Sequence, residues 1–398
     1  MSARLESIAS APVAHAAVAA HAPARVPSID ILRGLVMVLM ALDHVRDFFT
    51  DVRHDPLDLS QTSAPLFLTR WITHFCAPTF VLLAGVSAYL LSRRCSRAEL
   101  SRFLFTRGLW LVLLEVTLVS LVWTFNVRYD HGLFLQVIWA IGVSMMVLAL
   151  LVHLPLRAIA VFSLVVICGH NLLDGIAPQS FGAWAPLWSL LHVFGPIPHV
   201  FVAYPLIPWI AVMSLGFCIG AIFELAPLQR VRRFAWLGVA SLVTFVVLRA
   251  TNAYGDPSAW TLQSSPLETL LSFVNVHKYP PSLDYLLITL GTGCLLLAAF
   301  DSARGRFSEV LRTFGRVPLF FYVLHVALAH LAAGVIGLAT GFGTALLTAD
   351  FMLVPQQWGF GLPVVYLAWL LVVATLYPAC RWFAAVKRRR SDWWLSYL

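Results

Sequence analysis

The first long apolar segment of the chain carries an unusual number of ionisable residues. Arg33 opens an apolar run, and His44 follows it eleven residues later. Eleven residues of helix span about 16 Å. The cation therefore lies at one end of the segment and the histidine lies in the opposite half. Histidine is the side chain best suited to proton transfer near neutral pH, and the planar guanidinium group of arginine fits phosphate. The pair favours chemistry that joins a phosphate-bearing molecule to a buried base.

Two carboxylates flank this histidine. Asp47 lies three residues after His44 and shares its helix face, whereas Asp43 points about 100° away. We therefore expect Asp47 to orient the imidazole, with Asp43 as the second choice, because Asp43 is better placed to meet Arg46 or another helix. The alternative explanation for Arg46 and Asp47 is a charged helix end that dissolves among lipid headgroups.

Two other apolar segments also contain a histidine. Pro78 follows His74 by four residues and cannot donate to its carbonyl, and such a broken turn suits a cavity wall. His325 follows Arg316 by nine residues, which places it near the middle of its segment. The structural alternatives are a kinked helix for His74 and a histidine bridging two helices for His325. If a reaction occurs here, both side chains are expected to line its cavity and to stabilise an oxyanion.

Arginines gather at the end of the helices where Arg33 lies. Arg107 and Arg316 open two other apolar segments at this end, and with Arg33 they are expected to bind phosphate groups through charge-assisted hydrogen bonds. Glu115 is a lone acid eight residues after Arg107, and we expect it to pair with Arg33. No G-x-S-x-G elbow, phosphate-binding loop, H-E-x-x-H or glycine-rich dinucleotide motif occurs.

The composition defines the class of protein. Of the 398 residues, 60% are hydrophobic and only 12% are charged, and the mean hydropathy is +0.83. Soluble domains contain roughly 25% charged residues, so a soluble globule, a disordered chain or a nucleic-acid-binding domain is excluded despite the net charge of +8. The 6 cysteines stand singly, which indicates neither a disulfide framework nor a zinc knuckle, and no metal site is expected.

The hydropathy pattern predicts an all-α integral membrane protein with about ten transmembrane helices. Residues 1–26 are expected to be a disordered tail, because their histidines and prolines interrupt any signal-like apolar core, and 27–398 a single multi-spanning domain. The segment 184–194 is too short to cross and is expected to lie in the interface or to re-enter. The predicted spans, each long enough to cross about 30 Å of hydrocarbon, are 29–49, 66–92, 105–125, 132–152, 157–174, 198–223, 232–251, 282–300, 315–338 and 362–384.

Positive charge predicts the orientation, since lysine and arginine stay on the cytoplasmic side during insertion. With ten spans and an internal N-terminus, 21 of the 27 basic residues fall on one side. Both termini are therefore expected in the cytoplasm, with Trp393 and Trp394 anchored at the headgroups. The basic residues left on the outer side are Arg46, Arg53, Arg70, Arg128, Arg249 and Lys278.

Several blocks of the sequence resemble a known family. RVPSIDILRGLVMVLMALDHVRDFF, LTRWITHFCAPTFVLLAGVSAYL, NVHKYPPSLDYLLITLG, FGRVPLFFYVLH and RWFAAVKRRRSDWWLSYL are similar to bacterial proteins with the heparan-alpha-glucosaminide N-acetyltransferase catalytic domain. The spacing from Arg33 to His44 is also similar to integral-membrane acyltransferase family 3. The resemblance runs from about residue 25 to the end. It implies a bacterial inner-membrane enzyme that transfers an acetyl or acyl group from cytosolic acyl-coenzyme A, a substrate rather than a permanently bound cofactor.

The resemblance leaves two candidates for the catalytic base. The lysosomal members carry the active histidine on the loop after the first span, and an ungapped register brings His54 to that place. The acyltransferase-family spacing falls on His44 instead. We prefer His44 as general base, because His54 lies between Arg53 and Asp55 in a hydrophilic loop and is expected to be solvent-exposed.

The acceptor and two rival classes remain open. The acceptor is expected to be an extracytoplasmic glycan or other small amino or hydroxyl compound, received by the loops Asp51–Thr62 and Tyr254–Pro281; an ordinary folded loop is the alternative. A homodimer is compatible with the sequence. A proton-coupled transporter would also place histidines and acids in its spans, but no internal symmetry is visible. A haem or metal enzyme would use His44, His74, His325 and His330, which lack paired spacing.

Overall fold

The protein is an assembly of helices with one small sheet. The computed structural model describes residues 26–127, 132–348, 354–390, 392 and 395, so the expectations for residues 1–25 of the tail and for Trp393 and Trp394 fall outside the described residues. The helices are α1 Pro27–Phe49, α2 Ala64–Trp71, α3 Cys76–Ser92, α4 Arg97–Leu114, α5 Ser120–Thr124, α6 Val137–Leu151, α7 Leu156–Gly169, α8 Ala185–His192, α9 Leu206–Ile219, α10 Pro227–Thr251, α11 Pro266–Val274, α12 Leu283–Phe300, α13 Arg306–Arg316, α14 Pro318–Ala339, α15 Ala345–Thr348 and α16 Leu362–Arg389.

The all-α membrane architecture expected from the sequence is confirmed. Eight of the described helical stretches are long and apolar enough to cross a bilayer, and each overlaps a predicted span. They are 64–92, 97–124, 156–173, 206–224, 227–251, 283–300, 318–339 and 362–389. The two remaining predicted spans are also helical: α1 is rich in charge, and α6 has 15 residues. We call the end of the bundle where α1 begins the inner end and the opposite end the outer end.

Several boundaries differ from the predicted spans for local reasons. The predicted span 105–125 begins eight residues late, because α4 opens with a charged turn capped by Ser96 and Glu99 in a capping box. The predicted span 315–338 merges two helices, since Pro318 starts α14 immediately after α13 ends. Hydropathy detects neither a helix that extends beyond the bilayer nor a break between two helices.

Glu115 holds the start of α6 instead of pairing with Arg33. A π-helical turn, Glu115–Val119, follows α4. The buried Glu115 carboxylate accepts the backbone N–H groups of Gln136 and Trp139 at 3.2 and 3.0 Å. A carboxylate at a helix N-terminus satisfies donors that have no partner within the helix. The expected Glu115–Arg33 pair is therefore wrong, because the nearest unsatisfied donors are backbone amides.

The outer connections contain a three-stranded sheet and a short helix. The strands are β1 Leu133–Leu135, β2 Gly195–Ile197 and β3 Val200–Val202, with β3 in the centre, parallel to β1 and antiparallel to β2. The segment 184–194 forms α8, whose 8 residues cannot cross a bilayer. The sheet joins the start of α6 to the start of α9 at the outer end.

Helices α1 and α13 cross in direct backbone contact. A Cβ atom on Gly34 would lie 1.8 Å from the Leu311 carbonyl oxygen, and one on Gly315 would lie 1.9 Å from the Asp30 carbonyl oxygen. These two residues permit the close approach because glycine has no Cβ atom. The approach brings Arg33 of α1 against the end of α13. The contact places the arginines of both helices at one site.

We predict that Gly34→Ala and Gly315→Ala each destabilise the protein by about 1–3 kcal/mol, the usual range for overpacking. The added methyl group would meet backbone rather than a flexible side chain. The measurement is the thermal unfolding midpoint in detergent. Gly293→Ala is the control, because its Cβ would meet only Thr79 Oγ1 at 3.6 Å; equal loss of stability in all three variants would contradict the backbone crossing.

Candidate functional site

Two of the predicted histidines meet in the bundle. His44 Nδ1 of α1 lies 2.7 Å from His325 Nε2 of α14, and the two rings are nearly parallel, with an interplanar angle of 9°. His325 is fully buried, whereas His44 is half-buried. The distance is that of a direct hydrogen bond between the rings.

The neighbours of this pair fix its tautomers. His325 Nδ1 lies 2.8 Å from the Phe321 carbonyl oxygen, which can only accept, so Nδ1 of a neutral His325 carries the hydrogen. Its Nε2 then has a lone pair and accepts from His44 Nδ1–H. The remaining nitrogen, His44 Nε2, therefore has an unprotonated lone pair. Among the described residues it makes no hydrogen bond, and this is the arrangement that a general base requires.

Trp123 and Tyr322 complete the surroundings of His44. The Trp123 and Tyr322 rings meet the His44 ring edge-on, with centroids 4.9 and 5.8 Å away. Trp123 Nε1–H donates to the Tyr322 hydroxyl oxygen at 3.2 Å. The Tyr322 hydroxyl accepts this bond and keeps its own hydrogen for another partner. Neither residue was singled out from the sequence, because an aromatic residue in an apolar span gives no distinguishing signal.

A cavity of about 440 Å³ opens at the inner end. The three predicted phosphate-binding arginines all line it, together with Lys387 and the single carboxylate of Asp30. The lining thus has four cations and one anion. Apolar side chains form most of the remaining wall, among them Met37, Met40, Phe80, Phe103, Leu104, Leu111, Ile138, Ile141, Met145 and Leu319. A cationic mouth with an apolar interior suits a ligand with phosphates at one end and a less polar arm at the other.

Contacts around Asp30 set the positions of the arginines. Arg33 donates to Asp30 Oδ1, the Gly315 carbonyl oxygen and Ser87 Oγ at 3.3, 3.2 and 3.1 Å. Arg316 Nε lies 3.8 Å from the other Asp30 oxygen. Three helices, α1, α3 and α13, thereby hold these two guanidinium groups side by side. Sharing one carboxylate leaves the pair with a net positive charge toward the cavity.

The cavity extends from these cations to the neighbourhood of the histidine pair. Tyr322 belongs to the cavity wall and also contacts the His44 ring. Met40 lies one helical turn before His44 and lines the same wall. A molecule that fills the cavity with its phosphates at Arg33 would therefore extend toward His44.

The carboxylates beside His44 bind arginines and not the imidazole. Asp43 contacts Arg70 at 2.5 Å and Arg46 at 3.1 Å, as expected for a side chain that points toward another helix. Asp47 contacts Arg46 at 2.6 Å. The expected role of Asp47 as the group orienting His44 is therefore not observed. His325 contacts the His44 imidazole instead. The two carboxylates bind the arginines because a charged guanidinium group is a stronger partner than a neutral imidazole.

His74 lies beside this charge cluster rather than in the histidine pair. It is 1% exposed, and neither ring nitrogen has a hydrogen-bond partner in the described structure. Its carbonyl, which Pro78 leaves without a helical donor, accepts from the Tyr285 hydroxyl at 2.8 Å. The predicted broken turn is a 3₁₀ segment, Ile72–Phe75. Only two of the three histidines expected to converge are in direct contact.

The competing histidine, His54, lies in the first outer loop. It is half-buried, and its Nε2 is a buried atom without a partner among the described residues, which differs from the solvent-exposed position expected. Its neighbour Arg53 donates to the carbonyl oxygens of Pro355 and Trp358. These bonds attach the loop to the segment before α16.

The two outer loops expected to receive the acceptor touch each other. Asn275 Nδ2 donates to the Leu57 carbonyl oxygen at 3.1 Å. Arg249 is 2% exposed and donates to the carbonyl oxygens of Ser258 and Asn275, each at 2.7 Å. The loop 252–281 is therefore folded around one buried guanidinium group.

Burial would raise the pKa of Tyr279, but the charges of Lys278 and Arg70 lower it below its ordinary value. Lys278 Nζ lies 5.0 Å from the Tyr279 ring centre. The outer loop thus brings a lysine and a tyrosine close to the Asp43–Arg70 pair. Lysine and arginine side chains therefore lie on the outer side of the histidine pair as well as on its inner side.

The four histidines of the metal or haem alternative do not form one ligand set in the described part of the chain. His330 Nδ1 and Nε2 lie 3.1 and 3.0 Å from the carbonyl oxygens of Val122 and Leu346, so each ring nitrogen faces a backbone carbonyl. His44 and His325 bind each other, and His74 lies apart from them. This arrangement favours proton transfer over metal ligation at these positions.

A comparison with known families identifies the family of the chain. The family model described as Heparan-alpha-glucosaminide N-acetyltransferase, catalytic, matches residues 25–254, more than half of the chain. The chain therefore belongs to this family of membrane acetyltransferase-like proteins. The match includes Arg33, His44, His54 and His74 and ends before His325. A search of curated proteins finds no match.

Proposed function

We propose that the protein transfers an acetyl or other acyl group from acyl-coenzyme A, bound at the inner end, to an amino or hydroxyl group of an acceptor that enters from the outer end. The observation that carries the proposal is the His44–His325 hydrogen bond, whose His44 ring contacts Tyr322 in the wall of the cation-lined cavity. The family membership favours acyl transfer over the transporter alternative.

The donor would lie in the inner cavity. Coenzyme A carries a pyrophosphate and a further phosphate, and the Arg33, Arg107 and Arg316 guanidinium groups would bind their oxygens. The apolar wall would hold the pantetheine arm, which ends at the thioester. Because Tyr322 belongs to both the cavity wall and the surroundings of His44, a thioester at the deep end would lie near the base.

The proposed reaction needs one base that later acts as an acid. The nitrogen or oxygen of the acceptor forms a bond to the carbonyl carbon of the thioester. As this bond forms, His44 Nε2 takes the proton that the acceptor atom carries. The carbonyl π electrons move to oxygen and form a tetrahedral intermediate. The intermediate collapses, the carbon–sulfur bond breaks, and the His44 imidazolium returns the proton to the leaving thiolate. The acylated acceptor and free coenzyme A thiol are the products.

Tyr322 is the side chain best placed to donate to the developing oxyanion. Its hydroxyl accepts from Trp123, and Tyr322 is part of the cavity wall, so its own hydrogen would be available for the thioester oxygen. This role was assigned to His74 and His325 from the sequence. His325 Nε2 already accepts from His44, and His74 is not part of the cavity wall, so Tyr322 replaces them in the proposal.

We also propose a membrane orientation for the protein and a class of acceptor. The arginine-rich inner end would face the cytoplasm of a bacterial cell, with both termini there, because the cytosol supplies acyl-coenzyme A and retains positive residues. The acceptor would be an extracytoplasmic glycan or other small molecule at the loops 51–62 and 252–281. Aromatic and polar side chains such as Tyr254 and Trp260 suit carbohydrate.

We predict that His44→Ala lowers turnover by about 100- to 10,000-fold, the usual contribution of general acid–base catalysis, and leaves donor binding nearly intact. The assay follows release of coenzyme A thiol from acetyl-coenzyme A with a panel of amino sugars and hydroxylated glycans. His54→Ala should keep most of the activity. An active His44→Ala protein together with an inactive His54→Ala protein would give the base role to His54.

The same assay tests the proposed function as a whole. Thiol release that depends on an acceptor supports acyl transfer. If purified protein shows none with any acceptor, yet takes up one of these compounds into proteoliposomes without acylating it, the transporter alternative is correct. His153→Ala is the control variant, because His153 is exposed and lies in a short inner connection.

Arg33→Gln is expected to weaken acetyl-coenzyme A binding by about 10-fold or more, since a charge-assisted contact is worth roughly 1.5–3 kcal/mol. Isothermal titration calorimetry measures the affinity directly. Arg157→Gln removes an exposed arginine that does not line the cavity and should leave the affinity unchanged. Equal affinities in wild type and Arg33→Gln would remove Arg33 from the donor site.

Tyr322→Phe should lower kcat by about 100-fold, the lower end of the range for loss of one oxyanion donor, while the KM for the donor changes little. The substitution keeps the ring against His44 and removes only the hydroxyl group. Steady-state kinetics separates the two constants. A raised KM with unchanged kcat would make Tyr322 a binding residue instead.

A further inference from the structure

A second group of histidines lies at the outer end, away from the proposed reaction centre. His170 and Asp174 follow α7, and His192 is the last residue of α8. One ligand atom from each of these residues lies within 4.8 Å of the other two. Sequence spacing gave no sign of the group, because His192 follows Asp174 by 18 residues.

His170 is buried without any of the contacts that a buried imidazole normally makes. It is 2% exposed, and both of its ring nitrogens lack a hydrogen-bond partner in the described structure. His192 is also 2% exposed, and its Nδ1 lacks a partner. An unsatisfied buried polar group costs about 1–3 kcal/mol. The two nitrogens of His170 without partners, next to His192, indicate a ligand that both imidazoles can bind.

The third residue supplies a negative charge in a fixed orientation. Asp174 Oδ1 lies 2.9 Å from His192 Nε2, while Asn171 Nδ2 donates to Asp174 Oδ2 at 2.7 Å. Asn171 is itself fixed, because its Oδ1 accepts from the Leu283 backbone N–H at 2.9 Å. Hydrogen bonds of this kind orient the ligands of metal ions. Asp174 is exposed and gives an ion a path from solvent.

We propose that His170, Asp174 and His192 bind a divalent transition-metal ion of the zinc class. Imidazole nitrogens favour zinc and its neighbours over calcium or magnesium, which prefer oxygen ligands. Tetrahedral zinc with bonds of about 2.0–2.1 Å places its ligand atoms about 3.3 Å apart. The Asp174–His192 distance would open slightly and His170 would move inward. A fourth position remains for water.

The ion would hold the outer loop against the bundle. It would join α8 to the end of α7, and the chain leaving α8 reaches Phe194 two residues after His192. The Phe194 ring stacks on Tyr279 with centroids 5.0 Å apart. Tyr279 belongs to the loop proposed to receive the acceptor, so the metal would stabilise one side of that surface without taking part in acyl transfer.

The test uses full-length protein purified through a tag without histidine, stripped with a chelator and dialysed against zinc. Plasma mass spectrometry should find about one zinc per chain in the wild type, and loss of a ligand should weaken binding by more than about 100-fold. His170→Asn and His192→Asn should lose the metal, whereas His153→Asn should retain it. Zinc should raise the wild-type unfolding midpoint and leave those of His170→Asn and His192→Asn unchanged.

Two further measurements test the proposal if the histidine variants do not fold. They are the zinc affinity of Asp174→Asn and the absorption of cobalt bound to the wild type. The amide preserves the hydrogen bond to His192 but removes the charge, so its zinc affinity should fall. Cobalt(II) bound to the wild type should give the visible absorption of a tetrahedral nitrogen and oxygen site. A wild type without bound zinc, or zinc retained equally by all variants, would overturn the proposal. Acyl-transfer activity does not enter this readout, so its outcome is independent of the proposed function.

Discussion

A charge inside a bilayer must have a partner, and in this protein one helix of the bundle carries five charged residues. Helix α1 contains Asp30, Arg33, Asp43, Arg46 and Asp47 within one span. Isolated in lipid, such a helix would be costly by several kcal/mol. Other helices supply partners: Ser87 from α3 and Gly315 from α13 for Arg33, and Arg70 from α2 for Asp43. The need to satisfy α1 therefore draws the surrounding helices together and creates both ends of the candidate site.

This constraint explains why the sequence predicts the membrane class and the helical segments well. A run of about 20 apolar residues has one stable structure in lipid, a transmembrane helix. The positions of the helical segments therefore follow from local composition. The charge-rich α1 was also recognised, because its apolar run between Arg33 and Asp43 is long enough to read as part of a span. The boundaries depend on caps, breaks and π turns, which composition alone does not determine.

The candidate site was predictable only in part. Residue type and spacing identified His44, His325 and the three cavity arginines, because ionisable groups in apolar segments are rare. Their partners depended on geometry across helices: Asp47 shares a face with His44, yet a neighbouring arginine binds it more strongly. Tyr322, Trp123 and the group at His170 had no sequence signal, since an aromatic residue in a span and a lone histidine in a loop are both common.

The hydrogen bond from His325 Nδ1 to the Phe321 carbonyl has a consequence for the path of a proton. A carbonyl oxygen accepts a hydrogen bond but does not pass a proton onward. The chain of exchangeable hydrogens that starts at His44 therefore ends at His325. In the proposed reaction, the proton that His44 takes from the acceptor therefore leaves the pair only through His44 Nε2, to the leaving thiolate. The histidine pair would thus hold this proton until the carbon–sulfur bond breaks, and would not conduct it further along the bundle through His325.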